Sequence, residues 1–229
     1  MTGPLTGVLF DLDGTLLDTA PDMHGALERL MGEHGLPPLA YEAVRGHVSH
    51  GSRALVQLGF PDLDELAREP LKQRFLDIYA EHLCDATRLF PGMQDALVEM
   101  EARGLCLGVV TNKPGWLTMP LMDALGLTSR FATIVSGDTL PQRKPSPEPM
   151  RHAARQARGK CDGFVYIGDA ERDIAAGRAA GMRTLVAGWG YIEAGEDTQT
   201  WAADAHLREP GDFWNWLEEL PGGSRCLAS

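Results

Sequence analysis

The sequence predicts an α/β protein: a doubly wound, Rossmann-like parallel sheet with an all-helical domain inserted after the first strand. Three observations carry that expectation. Short apolar runs alternate with amphipathic helical stretches over most of the chain, the pattern of strands joined by crossover helices. The first run, Val8-Leu9-Phe10, ends in Asp11-Leu12-Asp13-Gly14-Thr15, so two carboxylates stand where a buried strand stops. Between it and the next strand-like run lie residues 19–88, which offer helical periodicity and no strand pattern.

Each element follows from its residues in turn. Residues 5–10 form the first strand, and Gly14 lets the chain turn where it stops. Pro21-Asp22 starts a helix whose Met23, Ala26, Leu27, Leu30 and Met31 recur at helical spacing, and Gly35 with Pro37-Pro38 ends it. Shorter helical pieces are expected over 41–48, 53–59 and 63–68, then a longer helix over 71–84 with Phe75, Ile78, Tyr79 and His82 on one face. Leu89-Phe90-Pro91-Gly92 returns the chain, so 1–18 and 89–229 form the core and 19–88 the insertion. In the core, a helix over 93–102 ended by Gly104 precedes a buried strand over 105–110, which runs into Thr111-Asn112-Lys113-Pro114. A helix over 116–125, a strand over 131–135 and a Pro-stiffened loop over 137–149 carrying Lys144 follow. After a helix over 150–157, the strand 164–167 ends in Gly168-Asp169, and the helix 172–180 leads to the strand 184–187. The loop 188–198 holds Trp189 and Tyr191; a short strand over 205–207 and a helix over 212–220 come next, and 221–229 reads as a frayed tail.

Composition narrows the classes of function. Over 229 residues, 44% hydrophobic and 23% charged residues are ordinary for a soluble globular protein. The net charge of −11 argues against non-specific binding to nucleic acid or to membranes. No apolar run reaches the ~18 residues of a membrane span, and the N-terminal MTGPLTG lacks the basic and apolar segments of a signal peptide. Cys84, Cys106, Cys161 and Cys226 form no CxxC pair, which fits reduced thiols in the cytoplasm better than a disulfide or a zinc site. A monomer or small homo-oligomer acting on a small metabolite is expected.

The carboxylates beyond the first strand point to the chemistry. Two such charges close together repel unless a cation or a shared proton intervenes. A hard divalent cation with oxygen ligands is the simplest answer, and Mg2+ is the usual one. In open α/β sheets ligands sit just beyond the carboxyl ends of strands, where Asp11, Thr111 and Asp169 stand. Alone, Thr111-Asn112 reads as an ordinary strand-end turn and Lys144 as one more surface lysine.

The stretch DLDGTLLD, with Thr111 ahead of Asn112, Lys144 ahead of Pro145, and Gly168-Asp169 followed by Asp173, resembles the four signature motifs of the haloacid dehalogenase superfamily, in order. The GWGY loop and the insertion are similar to those of phosphoglycolate phosphatases and of their relatives, the N-acetylmuramic acid 6-phosphate phosphatases. The resemblance implies that 19–88 is a mobile helical cap and that the protein is a Mg2+-dependent phosphatase working through an aspartyl-phosphate. It implies Asp11 as nucleophile, Asp13 as general acid and then base, and Thr111, Asn112 and Lys144 as phosphate-binding groups. Asp11, Asp13 and Asp169 would hold the metal, and Asp173, one helical turn on, would reach a metal-bound water or Lys144. Ala170 stands where the family often has a polar residue, which removes one supporting contact, and Glu171 is expected to be solvated.

In the cap, His47, Ser49, His50, Ser52 and Arg53 cluster beside Gly46 and Gly51. The resemblance favours substrate recognition by Arg53, with His50 and Ser52; a plain surface loop is the open alternative. His24, His34, His82, His152 and His206 show no metal spacing. The expected substrate is 2-phosphoglycolate, with N-acetylmuramic acid 6-phosphate or another sugar phosphate as the alternative and a phosphomutase separable only by its products. Dehalogenation is disfavoured because that branch lacks an acid at the position of Asp13. A non-enzymatic receiver-like module phosphorylated on Asp11 is disfavoured by the insertion, Asp13 and Lys144.

Overall fold

A computed structural model describes residues 5–220; the tail expected over 221–229, Cys226 included, lies outside them. β1 (Gly7–Phe10) is buried at every position, as an unbroken apolar run requires of a strand covered on both faces. It pairs in parallel with β4 (Cys106–Val110) and β6 (Phe164–Gly168), Leu9 standing opposite Gly108 on one side and Tyr166 on the other. β5 (Thr133–Val135), β7 (Arg183–Ala187) and β8 (Ala205–Leu207) complete a parallel sheet of six strands in the order β5-β4-β1-β6-β7-β8. Chain order runs outward in both directions from β1, which makes its carboxyl end a topological switch point. Asp11, Thr111 and Asp169 are the first residues past β1, β4 and β6. The core helices are α5 (Met93–Ala102), α6 (Gly115–Ala124), α7 (Glu148–Gln156), α8 (Glu171–Ala180) and α9 (Asp212–Glu219).

The inserted segment contains α1 (Ala20–Glu33), α2 (Tyr41–Arg45), α3 (Gly51–Gly59) and α4 (Glu65–Glu81). Two details differ from the sequence reading. The helices expected over 63–68 and 71–84 are one, α4, with Pro70 inside it. Asp64 caps it by accepting from the Ala67 N–H at 2.8 Å. Pro70 forfeits one backbone hydrogen bond and its ring crowds the carbonyl four residues back, together a loss of about 3 kcal/mol; burial of Leu71, Phe75, Ile78 and Tyr79, at about 1.5–3 kcal/mol for each fully buried side chain, outweighs it. The insertion is also not strandless at its edge. β2 (Leu17–Asp18) pairs antiparallel with β3 (Arg88–Leu89), because the outgoing and returning chains run side by side and satisfy each other's backbone groups.

The insertion shares a core with part of the sheet, while Leu9, Val110, Val135 and Tyr166 belong to a separate buried cluster. Leu17 from the stem, Leu27 from α1, Phe75 and Tyr79 from α4, and Phe90 and Tyr191 from the core belong to one buried apolar cluster.

Candidate active site

Asp11 occupies the switch point. Its N–H donates to Ile167 O at 2.9 Å, continuing the sheet by one residue, and its Oδ1 accepts from Leu12 N at 2.7 Å. Lys144 Nζ lies 2.8 Å from the same oxygen. That ammonium also sits 2.7 Å from Asp173 Oδ1 and donates to Tyr166 Oη at 2.9 Å, whose hydroxyl donates to Val110 O. Lys144 is fixed at its root by Asn112, whose amide accepts from Lys144 N and donates to Lys144 O, both at 3.0 Å. One N–H and the carbonyl of the Asn112 side chain thus aim the lysine, and the second N–H is left for the phosphate contact expected of it at the cavity wall.

Asp169 is held on both oxygens. Thr15 donates to Oδ1 at 3.2 Å, while Ser49 from the insertion and the Tyr191 N–H donate to Oδ2 at 2.6 and 2.9 Å. Asp173 Oδ2 accepts from Ala170 N at 3.1 Å, so the alanine contributes through its backbone. Gly14, at φ +84°, turns the chain so closely past this group that a Cβ there would lie 2.1 Å from Asp169 Oδ2.

Among the described residues, Asp11, Asp169 and Asp173 bring carboxylate oxygens within 4.8 Å of one another, all buried. Burial first, and then the Asp173 charge, push the Asp11 carboxyl up to about 7 and raise Asp169 as well. Lys144 and the half-buried Arg172 offset only part of three carboxylates. Asp173 Oδ1 has the Lys144 charge nearby but no donor in hydrogen-bonding geometry. An all-oxygen, electron-rich cluster with an unsatisfied oxygen fits a hard divalent cation. Asp13, expected among the ligands, is not in this group. Its Oδ1 instead accepts from Thr19 at 2.8 Å and from Lys113 Nζ at 2.9 Å. Both bonds use one oxygen and leave Oδ2 for a reacting group.

Asp11, Asp13, Thr111 and Lys113 from the core face Ser52, Arg53, Lys72, Phe75 and Tyr79 from the insertion across a cavity of about 560 Å3. Thr111 is buried, with Oγ1 accepting from Lys113 N. Arg53 reaches the cavity but is 70% exposed and paired with Glu65. His50 and His47 both engage Glu193 of the loop after β7, at 3.0 and 2.8 Å, and Arg45 donates to the carbonyls of Trp189 and Gly190, each at 3.0 Å. The insertion is thus docked over the site. Cys84, Cys106 and Cys161 are free thiols.

Lys113 and Arg172 were not legible as site residues. Most lysines and arginines are solvated, and only the fold shows Lys113 buried against Asp13 and Arg172 beside Asp11 with a guanidinium donating to Ser49 O. The TNKP string placed Lys113 two residues after Thr111, but nothing in it named a partner.

A profile of the haloacid dehalogenase-like hydrolase family matches residues 8–187. The chain is 43% identical over 207 residues to a phosphoglycolate phosphatase of Xanthomonas campestris pv. campestris, covering 90% of this chain and 94% of the relative. It is 40% identical over 215 residues to an N-acetylmuramic acid 6-phosphate phosphatase of Pseudomonas aeruginosa, covering 93% and 95%. Among solved structures, a predicted phosphoglycolate phosphatase of Haemophilus somnus superimposes with a TM-score of 0.82 at 26% identity, over 94% of this chain and 99% of that one.

Proposed function

The chain belongs to the haloacid dehalogenase-like hydrolase family and is a phosphoric monoester hydrolase; on that premise we propose that it cleaves a small, carboxylate-bearing phosphomonoester through an aspartyl-phosphate on Asp11, with Mg2+ as cofactor. The observation that carries the reading is the arrangement around Asp11: a buried carboxylate fixed against Lys144, with Asp13 facing the same cavity. Asp11 attacks phosphorus in line with the leaving oxygen. Lys144, Arg172 and the Thr111 hydroxyl take up charge on the phosphoryl oxygens. Asp13 Oδ2 delivers a proton to the leaving alcohol, then takes one from the water that hydrolyses the acyl phosphate. Asp11, Asp169 and Asp173 would hold the Mg2+, which shields the phosphoryl charge from the nucleophile.

The substrates in the relatives' names share a phosphoryl group and a carboxylate. Arg53, Lys72 and Arg143 line the cavity beyond the catalytic groups and suit the second anion. We take 2-phosphoglycolate as the first substrate, from the relative at 43% identity. The cavity favours a second reading, N-acetylmuramic acid 6-phosphate. At about 560 Å3 it is far roomier than a two-carbon acid needs, and its wall includes Met23, Val48, Phe75, Leu76 and Leu117, which could pack on a sugar. The free thiols fit a reducing compartment, and we place the reaction in the cytoplasm. The test is phosphate release with Mg2+ from a panel of phosphorylated metabolites that includes both. Turnover of a carboxylate-bearing ester above its uncharged analogues is expected; inactivity on every member would overturn the reading.

A further inference from the structure

We propose that Lys113 is the positioning residue for the Asp13 acid/base, and that it is seated by Tyr79 only while helix α4 is docked on the core; this rests on the role given to Asp13 above. Lys113 is anchored at its root. Its N–H donates to Thr111 Oγ1 at 3.1 Å, and its carbonyl accepts from Gly137 N at 2.8 Å and Thr118 Oγ1 at 3.2 Å. The side chain, 3% exposed, then crosses to the first-strand loop, where the ammonium donates to Asp13 Oδ1 at 2.9 Å.

The remaining support comes from the inserted segment. Lys113 Nζ donates to Tyr79 Oη at 2.9 Å and lies 4.5 Å from the centre of the Tyr79 ring. Tyr79 is fully buried and belongs to α4, so it leaves the ammonium if that helix lifts. With Tyr79 gone the ammonium would keep only its Asp13 partner and meet water, where a single ion pair holds neither side chain to one geometry. Docked, Lys113 and Thr19 pin Oδ1 and thereby orient Oδ2. Lys113 is not a further phosphate clamp: its charge is committed to Asp13 and Tyr79, whereas Lys144 lies at Asp11.

The test compares leaving groups. Lys113→Met keeps the apolar stem and removes the ammonium; Lys113→Arg keeps the charge. Rates are normalised to the p-nitrophenolate burst, which counts only folded, reactive sites. With the alkyl phosphate that the wild type hydrolyses best, Lys113→Met should lose about tenfold or more in kcat/KM, because a poor leaving group needs the acid. With p-nitrophenyl phosphate the loss in kcat/KM should stay below about threefold. Its kcat should still fall, since hydrolysis of the acyl phosphate needs Asp13 with either substrate. Lys113→Arg should recover most of the difference. Tyr79→Phe should act in the same direction and add nothing in the Lys113→Met background. Equal loss of kcat/KM on both substrates, or an additive Tyr79→Phe, would overturn the role of Lys113. A wild type that releases no phosphate from any ester would instead sink the functional reading beneath it.

Discussion

Asp11 combines burial with crowding. Its carboxyl is raised from 3.8 to about 7, by desolvation first and by Asp173 next. A carboxyl whose folded pKa lies above its unfolded value binds the proton more tightly in the native state. In metal-free protein, ionising it therefore lowers stability as pH rises through that window. A divalent cation favours the ionised form. Stabilisation by Mg2+, followed by calorimetry, should thus be small near about pH 5 and large near about pH 8; a pH-independent rise in Tm would separate Asp11 from the metal site. Asp169→Ala should raise the Mg2+ requirement while Ca2+ inhibits, since calcium prefers more ligands at longer distances; full activity in Ca2+ or in excess chelator would contradict the assignment. At this scale the sequence was informative where a residue type stands at a strand end. Asp11 and Asp169 could be named from their places past strands, Lys144 and Asp173 only from the resemblance of the motifs around them. Asn112 was named for the phosphate, but its hold on the Lys144 backbone was not legible, because those bonds join residues far apart in sequence. Lys113 stayed invisible because its partners lie far away in sequence, at Asp13 and Tyr79.

Among the elements, the loop after β7 does more than connect. Trp189 Nε1 donates to Thr15 O, Tyr191 N holds Asp169, and the Tyr191 hydroxyl accepts from Ala20 N at 2.8 Å and donates to Asp18 Oδ1 at 2.7 Å. It ties Asp169 to the stem from which the insertion springs. Tyr191→Phe leaves the buried Ala20 N–H and Asp18 without that partner and should cost about 1–3 kcal/mol in stability by chemical denaturation; an unchanged midpoint would deny the tie. Arg53 sits at the exposed rim and shares its charge with Glu65. Arg53→Ala should therefore lower kcat/KM for the natural substrate by about 1 kcal/mol or less, leaving p-nitrophenyl phosphate untouched. A loss several times larger would restore Arg53 as the main reader of the substrate. The β strands and core helices were legible because buried parallel strands are continuous apolar runs. The two-residue stem strands and the continuity of α4 through Pro70 were not, because pairing and packing across the chain decide them.

The whole molecule places its chemistry at one seam. The sheet reverses its strand order at β1, and an insertion springing from just beyond that strand closes over the same point. That architecture was readable from the alternation of elements and from a strandless stretch of helical periodicity. The docked arrangement was not, because it depends on contacts such as Ser49 to Asp169 and Tyr79 to Lys113 that join residues far apart in sequence. The central claim is that Asp11 carries the phosphoryl group, and trapping it is the most direct measurement. Asp13→Ala protein mixed with p-nitrophenyl phosphate and Mg2+, quenched in acid during the burst and digested for mass spectrometry, should show a phosphoryl group on the peptide containing Asp11. Asp11→Asn protein treated alike should show none. Continued turnover with that peptide unmodified, or a phosphoryl group on another residue, would contradict the claim.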